Sequence, residues 1–405
     1  MGDFFQNGVV TCLHRLAERS VEDLEAELCL FSRRRPMSLV LPSLFSELEG
    51  EALPAILDEL SEIPYLSEIV IGLDRANEEQ FQYAREFFSR LPQRHRILWH
   101  DGPRLRELDQ LLASQGLAPQ EPGKGRNVWY CYGYVIASGK ADVIALHDCD
   151  ILTYSREMPA RLFYPVANPA LNFRFCKGYY YRVAGARIHG RVTRLLLTPL
   201  VRALKTIMGP LDYLEFLDSF RYPLAGEFSM RVDVVREIRI PSDWGLEIGV
   251  LSEVHRNQAH SHFCQVEIAD AYDHKHQPLS EDNPEAGLSK MSMDISKALY
   301  RKLATKGSVF HQETFRALKA TYYRIALDFV DRYYSEARIN GLEFDRHAEE
   351  RMVELFAQNI WLAGEQFLEN PMETPFIPSW NRVVSAIPDF LERIYEAVEV
   401  DNAES

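Results

Sequence analysis

Asp148 and Asp150 are separated by one residue and follow directly on the apolar run Val143-Ile144-Ala145-Leu146 and His147. Two carboxylates at the end of a buried strand cannot both turn into a core. In an extended segment alternate residues share a face, so both can reach one ion. Their oxygens suit Mg²⁺ or Mn²⁺, and an ion held there can bridge to a diphosphate and offset its charge as it leaves. A solvated loop, with one Asp capping a helix, is the alternative reading of the pair.

Four further groups could do chemistry. Pro122-Gly123-Lys124-Gly125-Arg126-Asn127 precedes a helical pattern. Its glycines let the backbone approach a ligand, and Lys124 offers a charge to phosphate. The spacing is not that of a Walker A box, and a flexible turn is the plainer reading. Asp273-His274-Lys275-His276 follows an apolar strand. Histidine is a good ligand for an ion already held by carboxylate. Alternation sends His274 and His276 to opposite faces, so at most one readily joins the Asp site, and a surface turn is the competing reading. Pro223-Leu224-Ala225-Gly226-Glu227 and Gly245-Leu246-Glu247 form the next group. Glu247 falls in the first turn of a helix, where the dipole alone would favour it, and Ser242 or Asp243 could cap that helix. Last, His189-Gly190-Arg191-Val192-Thr193 opens a helix and could hold an anion or form a solvated first turn.

These groups need elements to position them. Short apolar runs at Ser38–Leu41, ending at Pro42, at Glu68–Ile71, ended by Gly72, at Arg96–Trp99 and at Asp142–His147 read as buried strands. Amphipathic helices at Ala52–Leu60, Glu78–Ser89, Arg104–Gln115 and Asn127–Ser138 separate them. The alternation predicts an α/β fold, a mainly parallel sheet with helices on both faces. Ligands of such sheets bind beyond the carboxyl ends of the strands. Pro42-Ser43-Leu44, Gly72-Leu73-Asp74 and His147–Asp150 should therefore converge on one crevice. Strands at Asn172–Cys176 and Phe263–Ile268 and helices at Val192–Met208 and Gly245–Arg256 follow. From Gly287 onward the chain reads as helical, with stripes over Glu313–Asn340, His347–Phe367 and Ser379–Val398.

The boundaries predicted are an N-terminal helical extension over 1–35, a catalytic domain over 36–285 and a helical C-terminal region over 286–405. The catalytic domain divides into a donor half, about 36–150, and an acceptor half, about 151–285. The 405-residue chain is 46 % apolar and 26 % charged, ordinary for a globular protein, and its formal net charge of −14 repels nucleic-acid phosphates. Its six scattered cysteines suit reduced thiols in the cytoplasm. No signal peptide opens the chain, and no apolar stretch is long enough to span a bilayer.

Taken in order, the stretches Pro122–Asn127, Leu146–Ile151, Gly190–Leu197, Pro223–Glu227, Gly245–Gly249 and His274–Pro278 resemble the retaining glycosyltransferases of the glucosyl-3-phosphoglycerate synthase and mannosylglycerate synthase group. The resemblance covers about Ser38 to Leu279. It implies a GT-A fold, the Rossmann-like fold of nucleotide-diphospho-sugar transferases, with the helical C-terminal region as an appendage. It also implies transfer of glucose from UDP-glucose to 3-phosphoglycerate, a divalent metal cofactor (Mg²⁺ or Mn²⁺) and a homodimer. A GDP-mannose-type donor, or free glycerate as acceptor, is the close alternative.

The resemblance carries roles onto matching positions. Pro42, Ser43 and Leu44 would line the uridine pocket, with Gly72 and Leu73 beside them. Lys124 would touch the nucleotide or its phosphates, and Asp148 the ribose or sugar, with Cys149 beside it. Asp150 and His274 would bind the metal, and Asp150 would thereby share in catalysis. Leu224 and Glu247 would contact the transferred hexose, and Gly190, Arg191 and Thr193 the phosphate and carboxylate of the acceptor. Here the chain departs from the family pattern at two places. Phe45-Ser46 precede Glu47, leaving open which of Ser46 and Glu47 meets the base. His276, which would be acceptor-binding, stands where the family has an Asn near the metal His, and Gln277 replaces a basic residue; both could alter acceptor or nucleotide preference. Two other classes fit parts of the pattern: a nucleotide-sugar-binding protein without transfer, and a phosphohydrolase with Asp148 as nucleophile, for which the expected downstream Lys and acidic signatures are missing in clear form.

Overall fold

The computed structural model describes residues 6, 8–119, 121–242, 244–274, 287–372 and 376–403. Eight strands form one sheet: β1 (Thr11–Leu13), β2 (Met37–Leu44), β3 (Leu66–Asp74), β4 (His95–Trp99), β5 (Val143–Leu146), β6 (Phe175–Tyr180), β9 (Phe228–Arg231) and β10 (Phe263–Ala269). Their order is β1-β10-β6-β9-β5-β2-β3-β4. A separate hairpin pairs β7 (Val183–Ala184) with β8 (Arg187–Ile188). All neighbours in the large sheet are parallel except β9, which runs antiparallel to both β5 and β6.

The predicted strands are buried on both faces, which is why they read as continuous apolar runs. Leu39, Leu41, Ile69 and Ile71 enter one core, while Val40, Val70 and Leu98 enter the other. Pro42 does not end β2. The strand continues to Leu44 along β3, but its pairing with β5 stops at Val40↔Leu146. Pro42 thus stands where β2 has lost a neighbour and its missing N–H leaves no ladder bond unmade. Gly72 does not end β3 either. A Cβ there would lie 1.9 Å from Asn127 Oδ1, so the glycine makes room for that side chain.

Three further expectations change. Segment 1–35 is not helical throughout, because Thr11–Leu13 adds an edge strand to β10 ahead of the helix Val21–Ser32. Val192–Leu197 is wound as a π-turn before the α-helix Thr198–Met208. The last predicted helix is two, Trp380–Ala386 and Phe390–Ala403, with Pro388 in the break, where it would remove a helical N–H.

The C-terminal helices share the core of the sheet rather than standing apart. Trp380 stacks on Trp129 at 4.1 Å between centroids, and Tyr322 Oη donates to Leu195 O at 2.6 Å. Asn402 pairs with both backbone groups of Ile97, and Glu399 accepts from Arg94 and Arg96. No helix among the described residues is long and apolar enough to cross a membrane.

Candidate active site

The strand ends do converge. Beyond β5, Asp148 turns to the helix Lys124–Ser138, and its Oδ1 lies 2.6 Å from Lys124 Nζ. The same ammonium lies 3.2 Å from Glu247 Oε1, in the first turn of the helix Leu246–Asn257. At the start of the Lys124–Ser138 helix, Gly123 and Gly125 sit tight against the Pro241-Ser242 backbone; a Cβ on Gly125 would lie 2.1 Å from Pro241 O. The helix begins at Lys124, three residues earlier than predicted, so Lys124 and Asn127 share a face of its first turn. Burial opposes the Lys124 charge, but Asp148 and Glu247 outweigh it and hold the ammonium above its ordinary range. Burial likewise works against the Asp148 carboxylate, and Lys124 overrides it, holding Asp148 below the usual range.

Asp150, two residues on, points elsewhere. Its Oδ2 lies 3.4 Å from His274 Nδ1. An isolated bridge between Ile151 and His274, and the bond from Leu152 N–H to Asp273 O at 2.9 Å, fix the two chain segments together. Both side chains are 28 % exposed, so the pair faces solvent. A carboxylate oxygen and an imidazole nitrogen form a fitting donor set for Mg²⁺ or Mn²⁺. Among the described residues no group of three or more His, Cys, Asp and Glu side chains is set to hold an ion. Two protein ligands would leave most positions of an octahedral ion to phosphate oxygens and water.

Glu227 lies beneath these groups, fully buried, and accepts from Tyr180 Oη and Tyr272 Oη at 2.8 Å each. Burial, then the nearby Asp148 charge, raises its pKa. Lys177 on β6 is also fully buried and donates to Ala225 O at 2.5 Å, fixing the Leu224–Gly226 turn. Burial pushes its pKa down to about 8. Gly226 abuts Asp148: a Cβ would lie 2.3 Å from Oδ2. His147 is buried with neither ring nitrogen bonded, and burial depresses its pKa to about 3, so it stays neutral.

Each predicted residue can now be placed. Ser43 is buried and Pro42 half-buried, while Leu44 and Ser46 are exposed at the end of β2 and in the turn Phe45–Glu49. Leu73 and Cys149 send their side chains into the core, so they offer a ligand only backbone. Burial also pushes the Cys149 thiol up. Leu224 is half-buried against the core and brings backbone rather than a reactive side chain. Gly190 adopts φ +74°, and Arg194 N–H returns to its carbonyl at 3.1 Å. Arg191 Nε donates to Glu349 Oε1 at 3.1 Å, and Arg194 Nη1 donates to the other oxygen. Thr193 is buried with Oγ1 unpartnered. His276 and Asp243 lie outside the described residues.

Sequence alone does not single out Lys177, Tyr180, Tyr272 or Glu349, and it places Asp74 and Asn127 inside marked stretches without giving either a role. Asn127 Nδ2 donates to Gly72 O and Asp74 Oδ2, both at 2.9 Å, and so joins the end of β3 to the Lys124 helix. Its place three residues after Lys124 is the one signal that could have found it.

No family model matches the chain. The glucosyl-3-phosphoglycerate synthase of Persephonella marina is 48 % identical over 404 residues, covering 100 % of both chains. That of Methanococcoides burtonii is 38 % identical over 407 residues, covering 98 % of each. The crystal structure of glucosyl-3-phosphoglycerate synthase from Mycobacterium tuberculosis with Mn²⁺, UDP-glucose and phosphoglyceric acid is similar at a TM-score of 0.52 and 20 % identity, covering 72 % of this chain and 87 % of that one. The mannosyl-3-phosphoglycerate synthase of Rubrobacter xylanophilus aligns at a TM-score of 0.53 and 21 % identity, covering 70 % and 80 %. These structural likenesses show the GT-A fold, and the full-length identities show the family: the chain belongs to the glucosyl-3-phosphoglycerate synthases.

Proposed function

We propose that this chain moves glucose from UDP-glucose to the hydroxyl of 3-phosphoglycerate with retention, using the crevice between β5, the Lys124 helix and the Gly190 turn. The observation that carries this is the placement of Asp148, Asp150, His274, Lys124 and Glu247 at the carboxyl ends of the strands. Pro42, Ser43, Leu44, Gly72 and Leu73 would receive the uridine there, in a donor half of about 36–150. The acceptor half of about 151–285 would supply the Gly190-Arg191 turn.

Asp150 and His274 would hold a divalent cation, whose chemistry is to offset charge on the departing diphosphate. Lys124 already sits between two carboxylates and would turn part of its charge to donor phosphate. Asp148, locked in orientation by Lys124 and Gly226, would accept from a donor hydroxyl, and Glu247 from a hydroxyl of the hexose. The Leu224–Gly226 backbone would floor the sugar. Among the described residues of the crevice no carboxylate stands ready as a covalent nucleophile, and Glu247 shares Lys124 with Asp148. Glu227 is buried under two phenols, and Asp148 is tied to Lys124. The acceptor hydroxyl would then attack the anomeric carbon on the face the diphosphate leaves, with Arg191 holding the phosphate.

The test is product mass and anomeric configuration after incubation with Mg²⁺ or Mn²⁺, a panel of UDP-, GDP- and ADP-sugars, and 3-phosphoglycerate or glycerate. Retained glucosyl-3-phosphoglycerate is expected. A mannosyl product from the GDP-sugar, or donor binding without any transfer, would overturn the proposal. Six cysteines in the free thiol form support a cytoplasmic setting. Tyr323, Tyr334 and Ile339, exposed along the helix Gln312–Ile339, are apolar surface that a homodimer would cover. Light-scattering mass checks the dimer.

A further inference from the structure

Arg182 is a cation that the proposed reaction leaves without a task. It directly precedes β7 at the mouth of the β7–β8 hairpin, and its carbonyl accepts His189 N–H at 2.7 Å, closing the hairpin against the Gly190 turn. Its guanidinium lies over the Tyr272 ring, 5.5 Å from the centroid, and Nη1 donates to Tyr222 Oη at 3.3 Å. Nε is buried and has no acceptor.

Two neighbours fix what this cation faces. On one side is the anion-binding turn: a Cβ on Gly190 would lie 3.4 Å from Arg182 Cγ and 3.2 Å from Tyr222 Oη. On the other is the metal-ligand pair: the Tyr272 ring, which stacks on Tyr180 at 3.7 Å, lies 5.7 Å from the His274 ring. Arg182 therefore stands between the place proposed for the acceptor phosphate and the place proposed for the donor diphosphate. Nearby carboxylates are already engaged, Glu227 by Tyr180 and Tyr272, Asp148 by Lys124 and Asp150 by His274.

The acceptor class has the same layout. Phosphate stands at one end of a three-carbon chain, carboxylate at the other, and the reacting hydroxyl between them. With phosphate on Arg191 and the hydroxyl turned to the donor, the carboxylate falls on the Arg182 side. We propose that Arg182 binds the acceptor carboxylate, making it the residue that selects a phosphorylated hydroxy acid over a phosphorylated polyol. A planar carboxylate matches a guanidinium fork, and it would supply an acceptor to the Nε–H that lacks one. This assignment rests on the acceptor proposed above and divides its two anionic ends between two arginines.

The test compares 3-phosphoglycerate with the glycerol phosphate of the same configuration at its hydroxyl carbon, in which CH₂OH replaces the carboxylate. The readouts are the KM of the acid and the competitive inhibition constant of the alcohol. Arg182→Met should raise the KM for 3-phosphoglycerate by roughly tenfold or more, the usual effect of losing a charged hydrogen bond, and change the alcohol's constant less than about threefold. Arg191→Ala should weaken both. Equal weakening of both by Arg182→Met, or weakening of neither, overturns the assignment. If Arg191→Ala leaves both unchanged, the phosphate assignment of Arg191 fails instead. Arg182→Lys keeps the charge and loses the fork, so it gives a second reading if the Met variant does not fold. It should show a smaller rise confined to the acid, and the UDP-glucose KM of either folded variant should stay within about twofold of the parent's.

Discussion

Glu349 ties the C-terminal helices to the proposed acceptor site, and removing its carboxylate should be costly in two separable ways. It is 4 % exposed, and so is Arg194. Arg194 has every guanidinium nitrogen engaged, with His189 O, Ile188 O and Glu349. Glu349→Ala strands that buried cation, and breaking one partner of a buried pair costs about 3–5 kcal/mol. Arg191 adds little to this figure, since its side chain is 41 % exposed and solvent screens it. At about 2.1 cal/mol/K of unfolding entropy per residue, each kcal/mol lowers the Tm of a chain of this size by roughly 1.2 °C, so a fall of about 4–6 °C is expected. The double variant Glu349→Ala/Arg194→Met removes both charges and should recover most of the loss, because replacing both partners of a buried pair is often near neutral. The second cost is functional. Arg191 loses its Nε anchor and gains rotamer freedom, worth about 1 kcal/mol, so the 3-phosphoglycerate KM should rise roughly fivefold while the UDP-glucose KM holds. Urea or thermal unfolding with steady-state kinetics would read both. If the double variant is no more stable than Glu349→Ala, or if the acceptor KM falls, then Glu349 does not act as the anchor described.

Two further outcomes follow from close contacts and buried charge. Gly226→Ala places a methyl 2.3 Å from Asp148 Oδ2, so the carboxylate must swing off Lys124. We expect donor kcat/KM to fall roughly 10²-fold, as for a misplaced positioning group, and a parental donor kcat/KM would refute the contact. Lys177 is a base whose folded pKa is pushed down to about 8 from an ordinary 10.5, so between those values the unfolded chain binds more protons and stability rises with pH. Lys177→Met lacks this response. The unfolding free energy of the parent, relative to that variant, should climb by about 3 kcal/mol from pH 7.5 to 10.5, and a flat difference would show that the ammonium is not held in that environment.

Much of the proposed donor side was legible because it is built from local pattern. Val143–Leu146 has no polar residue to relieve its burial, so a charged pair directly after it had to lie at a strand end. The Gly-Lys-Gly stretch reads as room for a ligand or a flexible turn, and in the structure its glycines instead let the helix start pack on the Pro241-Ser242 backbone. The acceptor side was less legible. Glu349 lies more than 150 residues from the two arginines it joins, and a helical Glu carries no mark of its partner. β1 is three residues long in a segment without alternation, and only its pairing with β10 makes it a strand. β9 gives no sign in its own sequence that it runs against its neighbours. Ser229 at its centre satisfies its hydroxyl on Leu162 O at 2.7 Å, a contact made by the fold.

Charge balance at the crevice leads to one more expectation. Asp148 and Glu247 share a single ammonium, and Asp150 has, among the described residues, an imidazole beside it. A diphosphate brought to this place adds negative charge next to carboxylates that Lys124 only partly neutralises. At about 4 Å and an effective dielectric near 20, each such pair of like charges costs about 4 kcal/mol. A divalent cation on Asp150 and His274 would reverse the sign of that local field, and linkage then requires that UDP raise the affinity for the cation by the factor by which the cation raises that for UDP. Calorimetric titration of UDP with and without Mn²⁺, and of Mn²⁺ with and without UDP, should return one coupling factor, about tenfold or larger. In Asp150→Asn that factor should shrink towards one, and the metal-free affinity for UDP should rise, since a negative charge has gone. Metal-free UDP binding that weakens in this variant would mean that Asp150 contacts the nucleotide directly rather than through an ion.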